Sequence, residues 1–448
     1  MNLVQRQELE EHRSKTIEAA APPTPADERL AARLRGDDDE HQPARLDVRW
    51  LANGKVDIRT TSWVGVARFS RLEVHVLPKL VGGELRVLRM LEYALGVRML
   101  RRLPDDATLT AQGRDLLDLV CLLLTEETQA LLRDGLLRDY READDTLPVL
   151  RGRLRHRDHY LRHFGRLDRL DCHFDEYDSD TPDNQLLAAG IDAARRHAKN
   201  RDVRFGAVRL GGLLQEACEP PTADADWYEG TIRYTRRNAA YRPAHELAKL
   251  LLRQLAFDDL FNSSGDGVTA FMINMNTVFE RFVLRLVTEA FAESKTIQVS
   301  PHTRLKTVIR NDDTGHTHTT IDPDLIIEHR PTGVRVPLDV KYKLYNDKKL
   351  AAGDIYQTFL YAFALGRGEL HRAGIIFPAT SIISGPTLSV RQLDGPTSAR
   401  IAVLGLDIPQ ILDDLDLQYR RRSDLLATTR AAVEQLAGMG NSRHPTTV

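Results

Sequence analysis

The strongest constraint on the fold is the stretch 321–345, IDPDLIIEHRPTGVRVPLDVKYKLY. It reads as two strands and a tight connection. Residues 324–329 are short, β-branched and aliphatic, and Pro323 bounds them upstream. Residues 330–334 supply Pro and Gly where a turn needs them, and residues 336–342 form the second strand, so the pair is a predicted hairpin. Side chains alternate along a strand, which puts Asp339 and Lys341 on one face with Val340 pointing away. Asp324 on the neighbouring strand adds a second carboxylate. Two carboxylates can hold Mg²⁺, which takes hard oxygen ligands and keeps several waters. A lysine beside them can orient one of those waters and stabilise charge on a phosphate. On an ordinary surface hairpin the same residues form an exposed pair of little energetic weight. The surroundings must separate the two readings.

The chain has 448 residues, enough for about three domains at ~150 residues each. Its 42% apolar content is that of a soluble globular protein. A formal charge of −2 gives no global attraction to nucleic acid, so any such contact rests on local patches. Cys121, Cys172 and Cys218 are far apart and odd in number, which argues against a disulfide framework or zinc site and for a reducing compartment. The N-terminus lacks the apolar core of a secretory signal. The apolar run 116–124 is too short to span a bilayer. A cytoplasmic protein with no membrane contact is expected.

In chain order, 1–44 reads as a flexible extension. Within it 3–18 is a short helix or a strand and helix, and the Pro-, Ala- and acid-rich 19–42 is mobile. Alternating runs around Ala52-Asn53-Gly54, and again through 63–80, predict a small β-subdomain. Residues 85–260 are mainly helical by spacing. Within them 150–170 carries seven arginines and three histidines against two aspartates. With Tyr160 and Phe164 interleaved, this basic stretch suits either a phosphate-tracking face or a solvated face paired with acids. Residues 172–184 read as acidic turns leading into a helix capped by Asp183 or Asn184.

Residues 271–294 form the clearest helix, with Met275, Phe279, Phe282 and Leu286 as one stripe. Glu280 borders that stripe. A glutamate there needs a partner such as a metal or its water, or else reaches out to solvent. After the hairpin, 354–366 is a helix with Asp354 as a cap. Gln357 and Tyr361 are four apart and share a face. Residues 373–378 and 400–408 are apolar strands of the buried kind, and 423–436 closes the chain as a helix.

Pro323-Asp324 followed by Asp339-Val340-Lys341 resembles the PD-(D/E)XK nuclease signature, and the Q-x-x-x-Y helix resembles the branch that includes RecB-type nucleases. More closely, the phrases MNTVFERFV, IDPDLII, LDVKYKLY and DIYQTFLYAFA are similar to the McrC family, the nuclease subunit of the McrBC modified-cytosine restriction system. VGVARF, LRVLRMLEYALG, LRGRL and CHFDEYDSDTPDN upstream extend the resemblance over roughly 45–410. It implies a mixed α+β chain: a small N-terminal β-subdomain and helical middle, together the partner-docking region 45–265, then a PD-(D/E)XK domain at 266–440 with a mixed sheet flanked by helices. It further implies that Asp324, Asp339, the carbonyl of Val340 and Glu280 hold Mg²⁺. In that scheme Lys341 positions the attacking water, while Gln357 and Tyr361 orient the DNA backbone. Asp322 can share the metal if its strand starts early, and Lys343 is either a phosphate contact or a surface lysine.

McrC-like proteins dock on a hexameric AAA+ GTPase, McrB, stimulate its GTP hydrolysis and cut double-stranded DNA, the partner recognising the modified base. The absence of G-x-x-x-x-G-K-[ST] agrees with GTP being used by the partner and not by this chain. The 1–44 extension has no counterpart in the family pattern. Two other readings remain: a non-catalytic adaptor of the ring, and a stand-alone RecB-like repair nuclease. The helical 85–260 and the lack of iron–sulfur cysteines weigh against the second.

Overall fold

Alternating apolar residues in the first eighty positions build two small sheets. In the computed structural model, which describes residues 4–37, 43–79, 82–101, 114–164, 166–219, 224–259, 268–301, 305–343, 350–367, 370–391, 393, 395–416 and 419–439, the chain divides into two compact units. They are Met1–Gly96 with Met272–Val448, and Val97–Phe271.

The first unit starts with β1 (Gln5–Glu10), β2 (Ser14–Glu18) and helix α1 (Pro25–Arg35). It continues through β3 (Leu46–Trp50), β4 (Lys55–Thr60), β5 (Trp63–Arg68), β6 (Leu72–Leu77) and helix α2 (Glu84–Leu95). β2, β4 and β3 form one antiparallel sheet. Leu46, Val48, Val56 and Ile58 turn to its buried side, and Asn53-Gly54 makes the expected β3–β4 turn, Gly54 at φ 76°. A second sheet has β1 parallel to β6 and β5 antiparallel to it.

Residues 5–35 are therefore ordered elements, not the mobile extension their composition suggests. Thr24 and Asp27 form a capping box with Pro25 in the first turn, and Leu30, Ala31 and Leu34 are buried. A capped amphipathic helix of this kind outweighs the disorder signal of its flanking prolines.

The second unit holds α3 (Leu116–Asp134), β7 (Asp139–Leu147), β8 (Arg153–Leu154), α4 (His156–His163), β9 (Leu170–Asp178), α5 (Pro182–His197), α6 (Arg201–Ala217), α7 (Ala225–Thr231) and α8 (Arg242–Asp259). Leu117, Val120 and Leu124 of α3, Leu187 and Ile191 of α5, Leu210 of α6 and Leu247 of α8 are fully or almost fully buried. Alongside the helices lies a three-stranded sheet, β7-β9-β8, absent from the sequence reading. β7 is polar on both faces and mostly exposed, so it carries no period-2 signal. β9 looked like acidic turns because only Asp171, Cys172 and Phe174 face inward. The cap of α5 is Thr181, whose hydroxyl accepts from the Asn184 N–H, not Asp183 or Asn184. In the basic stretch Arg155 pairs with Asp144 and Asp158, and Arg166 with Asp168, while Tyr160 and Phe164 stand exposed.

The first unit resumes with β10 (Thr269–Asn274) and α9 (Met275–Ala290). β10 lies beside β5 in the β1-β6-β5-β10 sheet, so FMIN is strand where the helical reading began at 271. Asn274 caps α9 by accepting the Asn276 N–H. Then come β11 (Ile297–Pro301), β12 (Leu305–Arg310), β13 (Thr317–Ile321), β14 (Leu325–His329), β15 (Val334–Val340), α10 (Ala352–Leu365), β16 (His371–Ala379), β17 (Ile383–Ser384), β18 (Leu388–Arg391), β19 (Thr397–Asp407), α11 (Ile408–Asp416) and α12 (Tyr419–Leu436).

β12 and β13 make a separate ladder. The large sheet is mixed, in the order β11-β14-β15-β16-β19-β17 with β18 also on β19. β14 and β15 are the antiparallel hairpin read from the sequence. β15, β16 and β19 run parallel, and α10 makes the crossover that parallel strands require. The inner strands carry the buried runs Ile375–Phe377 and Val403–Leu404, as expected of strands covered on both faces.

Candidate active site

The β14–β15 register sets the first two carboxylates side by side. Leu325 pairs with Leu338, so one further step brings Asp324, just before β14, opposite Asp339. The Val340 N–H donates to Asp324 Oδ2 at 2.6 Å, which locks the carboxylate against the strand end. Asp339 is 2% exposed, and its Oδ2 lies 3.0 Å from Lys341 Nζ. Lys341 stands where β15 leaves the sheet, its N–H donating to the Ile376 carbonyl at 2.9 Å.

Glu280 approaches from α9. Met275, Phe279, Phe282 and Leu286 are all fully buried and fix that helix against the unit's core, leaving Glu280 half-buried at the border of the stripe. Its charge is felt at Asp324. Burial above all, then the charges of Asp339 and Glu280, pushes the Asp324 carboxyl up from 3.8 to about 7, against the Val340 N–H and Lys341, which favour the anion. Burial also raises Asp339, with Lys341 opposing. Burial works against the Lys341 ammonium, but Asp339 and Asp324 outweigh it and hold its pKa above the usual lysine value. Three acidic side chains act on one another here, and burial makes two of them, Asp324 and Asp339, costly to ionise. A divalent cation would relieve their mutual repulsion.

Gln357 and Tyr361 share a face of α10 and bond to each other. Gln357 Nε2 donates to the Tyr361 hydroxyl at 2.8 Å, and that hydroxyl donates to the Asp322 carbonyl at 3.3 Å. Burial raises the Tyr361 phenol, and the Asp339 and Asp324 charges add to the effect. Asp322 lies with Asp324 between β13 and β14, outside either strand, so the alternation that would have put both on one face does not apply.

Lys343 Nζ donates to both Asp354 oxygens at 2.9 Å while its side chain stays half-exposed, which leaves both the phosphate-contact and the surface-lysine readings standing. Asp354 is not the cap of α10, which is Ala351. It is buried in the first turn, and its charge acts on Asp339 and Lys341. Sequence reasoning missed this role, although Asp354, Gln357 and Tyr361 at i, i+3 and i+7 lie on one helical face.

Residues 58–378 match the model of a family described as McrBC 5-methylcytosine restriction system component. The chain belongs to this family. The match takes in every residue of the site from Glu280 to Tyr361 and stops short of β1, β2 and α1. No curated protein matches the sequence. Among solved structures, a Thermococcus gammatolerans chain from a refined half-complex of a tetradecameric assembly, McrB AAA+ hexamers with bound McrC, superposes with a TM-score of 0.58 at 17% identity. That alignment covers 94% of this chain and 98% of the other, which at this identity establishes a shared fold. The Thermococcus gammatolerans McrBC complex also aligns, with a TM-score of 0.46, 21% identity, and 65% and 90% of the two chains covered. Among the described residues, no helix is long and apolar enough to cross a membrane.

Proposed function

We propose that this McrBC-family chain is the McrC-like subunit that cuts DNA by metal-dependent phosphodiester hydrolysis, within the PD-(D/E)XK domain expected at 266–440. The observation that carries the reading is the coupled set of Asp324, Asp339, Glu280 and Lys341, with Asp324 pushed up to about 7 by burial and neighbouring charge. A centre so unfavourable to ionise has no evident structural use, and perturbed carboxylates in such a cluster point to function.

Asp324, Asp339, the Val340 carbonyl and Glu280 would hold Mg²⁺, which supplies Lewis-acid charge at the scissile phosphate. The Lys341 ammonium, anchored on Asp339, donates to the attacking water and to the phosphate oxygen on which charge grows. The Val340 N–H keeps Asp324 from swinging out of line. Gln357, one amide N–H of which is held on Tyr361, would offer its other N–H to the DNA backbone, with Tyr361 fixing its orientation.

The shared fold, and the bound McrB AAA+ hexamers of the Thermococcus assembly, support an AAA+ GTPase ring as partner. The region 45–265 would dock on it, and double-stranded, modified DNA would be the substrate of a phage-defence restriction system. Asp339→Ala, reconstituted with its ring, should lose cleavage entirely while still stimulating GTP hydrolysis. Cleavage at the wild-type rate by that variant would overturn the assignment.

A further inference from the structure

Two links tie the N-terminal sheet to the segments that carry Glu280 and Lys341. Its strand β10 runs directly into α9, which carries Glu280, and the junction is held by the Met275 N–H on the Ser62 carbonyl and Asn276 Nδ2 on Ser62 Oγ. The second link starts at Glu11, the residue after β1, whose N–H donates to the Leu77 carbonyl at 3.2 Å. Glu11 is 1% exposed, and its Oε2 accepts both the Lys79 N–H and the Tyr342 hydroxyl at 2.9 Å each. Tyr342 sits between Lys341 and Lys343, and its ring packs on Phe279, the neighbour of Glu280, at 5.7 Å between centroids.

A buried carboxylate is costly, and an apolar residue would fill the same space without that cost. What Glu11 adds is direction: a bond to one hydroxyl on the segment where β15 ends and Lys341 is presented. The geometry points to Glu11 as a positioning residue that, by tying Tyr342 to the end of β1, sets where Lys341 stands beside Asp339. The inference rests on the nuclease reading for its consequence, and on geometry alone for the coupling. It makes the first strand, which lies outside the family match, part of the catalytic unit.

The test uses the full-length chain with Glu11→Ala, Glu11→Gln and Tyr342→Phe. In the metal-free protein, amine labelling read by peptide mass spectrometry should show Lys341 modified several-fold faster in Glu11→Ala and Tyr342→Phe. Lys55, on a distant strand, should be unchanged. Glu11→Gln, which keeps an acceptor for the hydroxyl, should restore most of the protection. With the ring and DNA, single-turnover cleavage should fall about 10-fold at unchanged DNA affinity, the scale expected of a small misplacement of a reacting group. The double variant should be no worse than either single one. Unchanged Lys341 labelling in folded Tyr342→Phe overturns the proposal, as does a cleavage loss that only follows thermal unfolding. If Asp339→Ala still cleaves, the nuclease reading fails while the labelling result stands on its own.

Discussion

Asp324→Asn should make the metal-free protein more stable while removing its cation site. The wild-type carboxyl is raised from 3.8 to about 7 in the folded chain. Below pH 3.8 both native and unfolded chains hold the proton, and the group is neutral toward folding. Between 3.8 and 7 the unfolded chain gives the proton up and the native chain keeps it, so stability falls as pH rises; the full cost is present above 7. A displacement of that size corresponds to about 4 kcal/mol. Residual solvent contact and local relaxation reduce it to about 1–3 kcal/mol. Asparagine keeps an oxygen for the Val340 N–H and carries no charge, so it recovers most of this amount.

Thermal unfolding at pH 8 in chelator should show the variant several degrees above wild type, since about 1 kcal/mol moves the midpoint of a unit this size by ~2–4 °C. The difference should vanish near pH 4. Divalent cation at about 100 times its Kd should add roughly 2.7 kcal/mol to wild type and far less to the variant. A variant no more stable than wild type at pH 8, or one stabilised equally by the cation, refutes the reasoning.

Burial holds His245 at about 3, its Nε2–H donating to the Asp183 carbonyl and Nδ1 accepting from Tyr234. The unfolded chain protonates first, so stability falls as pH drops from 7 toward 3, by about 2 kcal/mol at pH 5; His245→Gln should lack this component in denaturant titrations at both pH values. Gly190→Ala should destabilise by about 1–3 kcal/mol in urea unfolding, because a Cβ there would meet the Ala248 Cβ at 2.6 Å where α5 crosses α8. Lys343→Ala should lower stability by at most about 1 kcal/mol through loss of the Asp354 contact of a half-exposed lysine; weaker DNA binding at an unchanged melting temperature would identify Lys343 as a phosphate contact.

The hairpin, the Asn53-Gly54 turn and the α9 stripe were legible because each is written in a local period or a turn residue whose meaning does not depend on distant partners. So was the proximity of Asp324 to Asp339, which a hairpin register enforces. Other features came only with the tertiary structure. The approach of Glu280 to Asp324 depends on how α9 packs on the sheet, and the capture of Lys343 by Asp354 on where α10 lands. The reach of Glu11 to Tyr342 joins residues more than three hundred positions apart. The ordering of 5–35 and the strands β7 and β9 escaped the sequence for a related reason. Their polar faces outnumber their buried ones, and a chain with little apolar periodicity declares its structure only when a neighbour covers it.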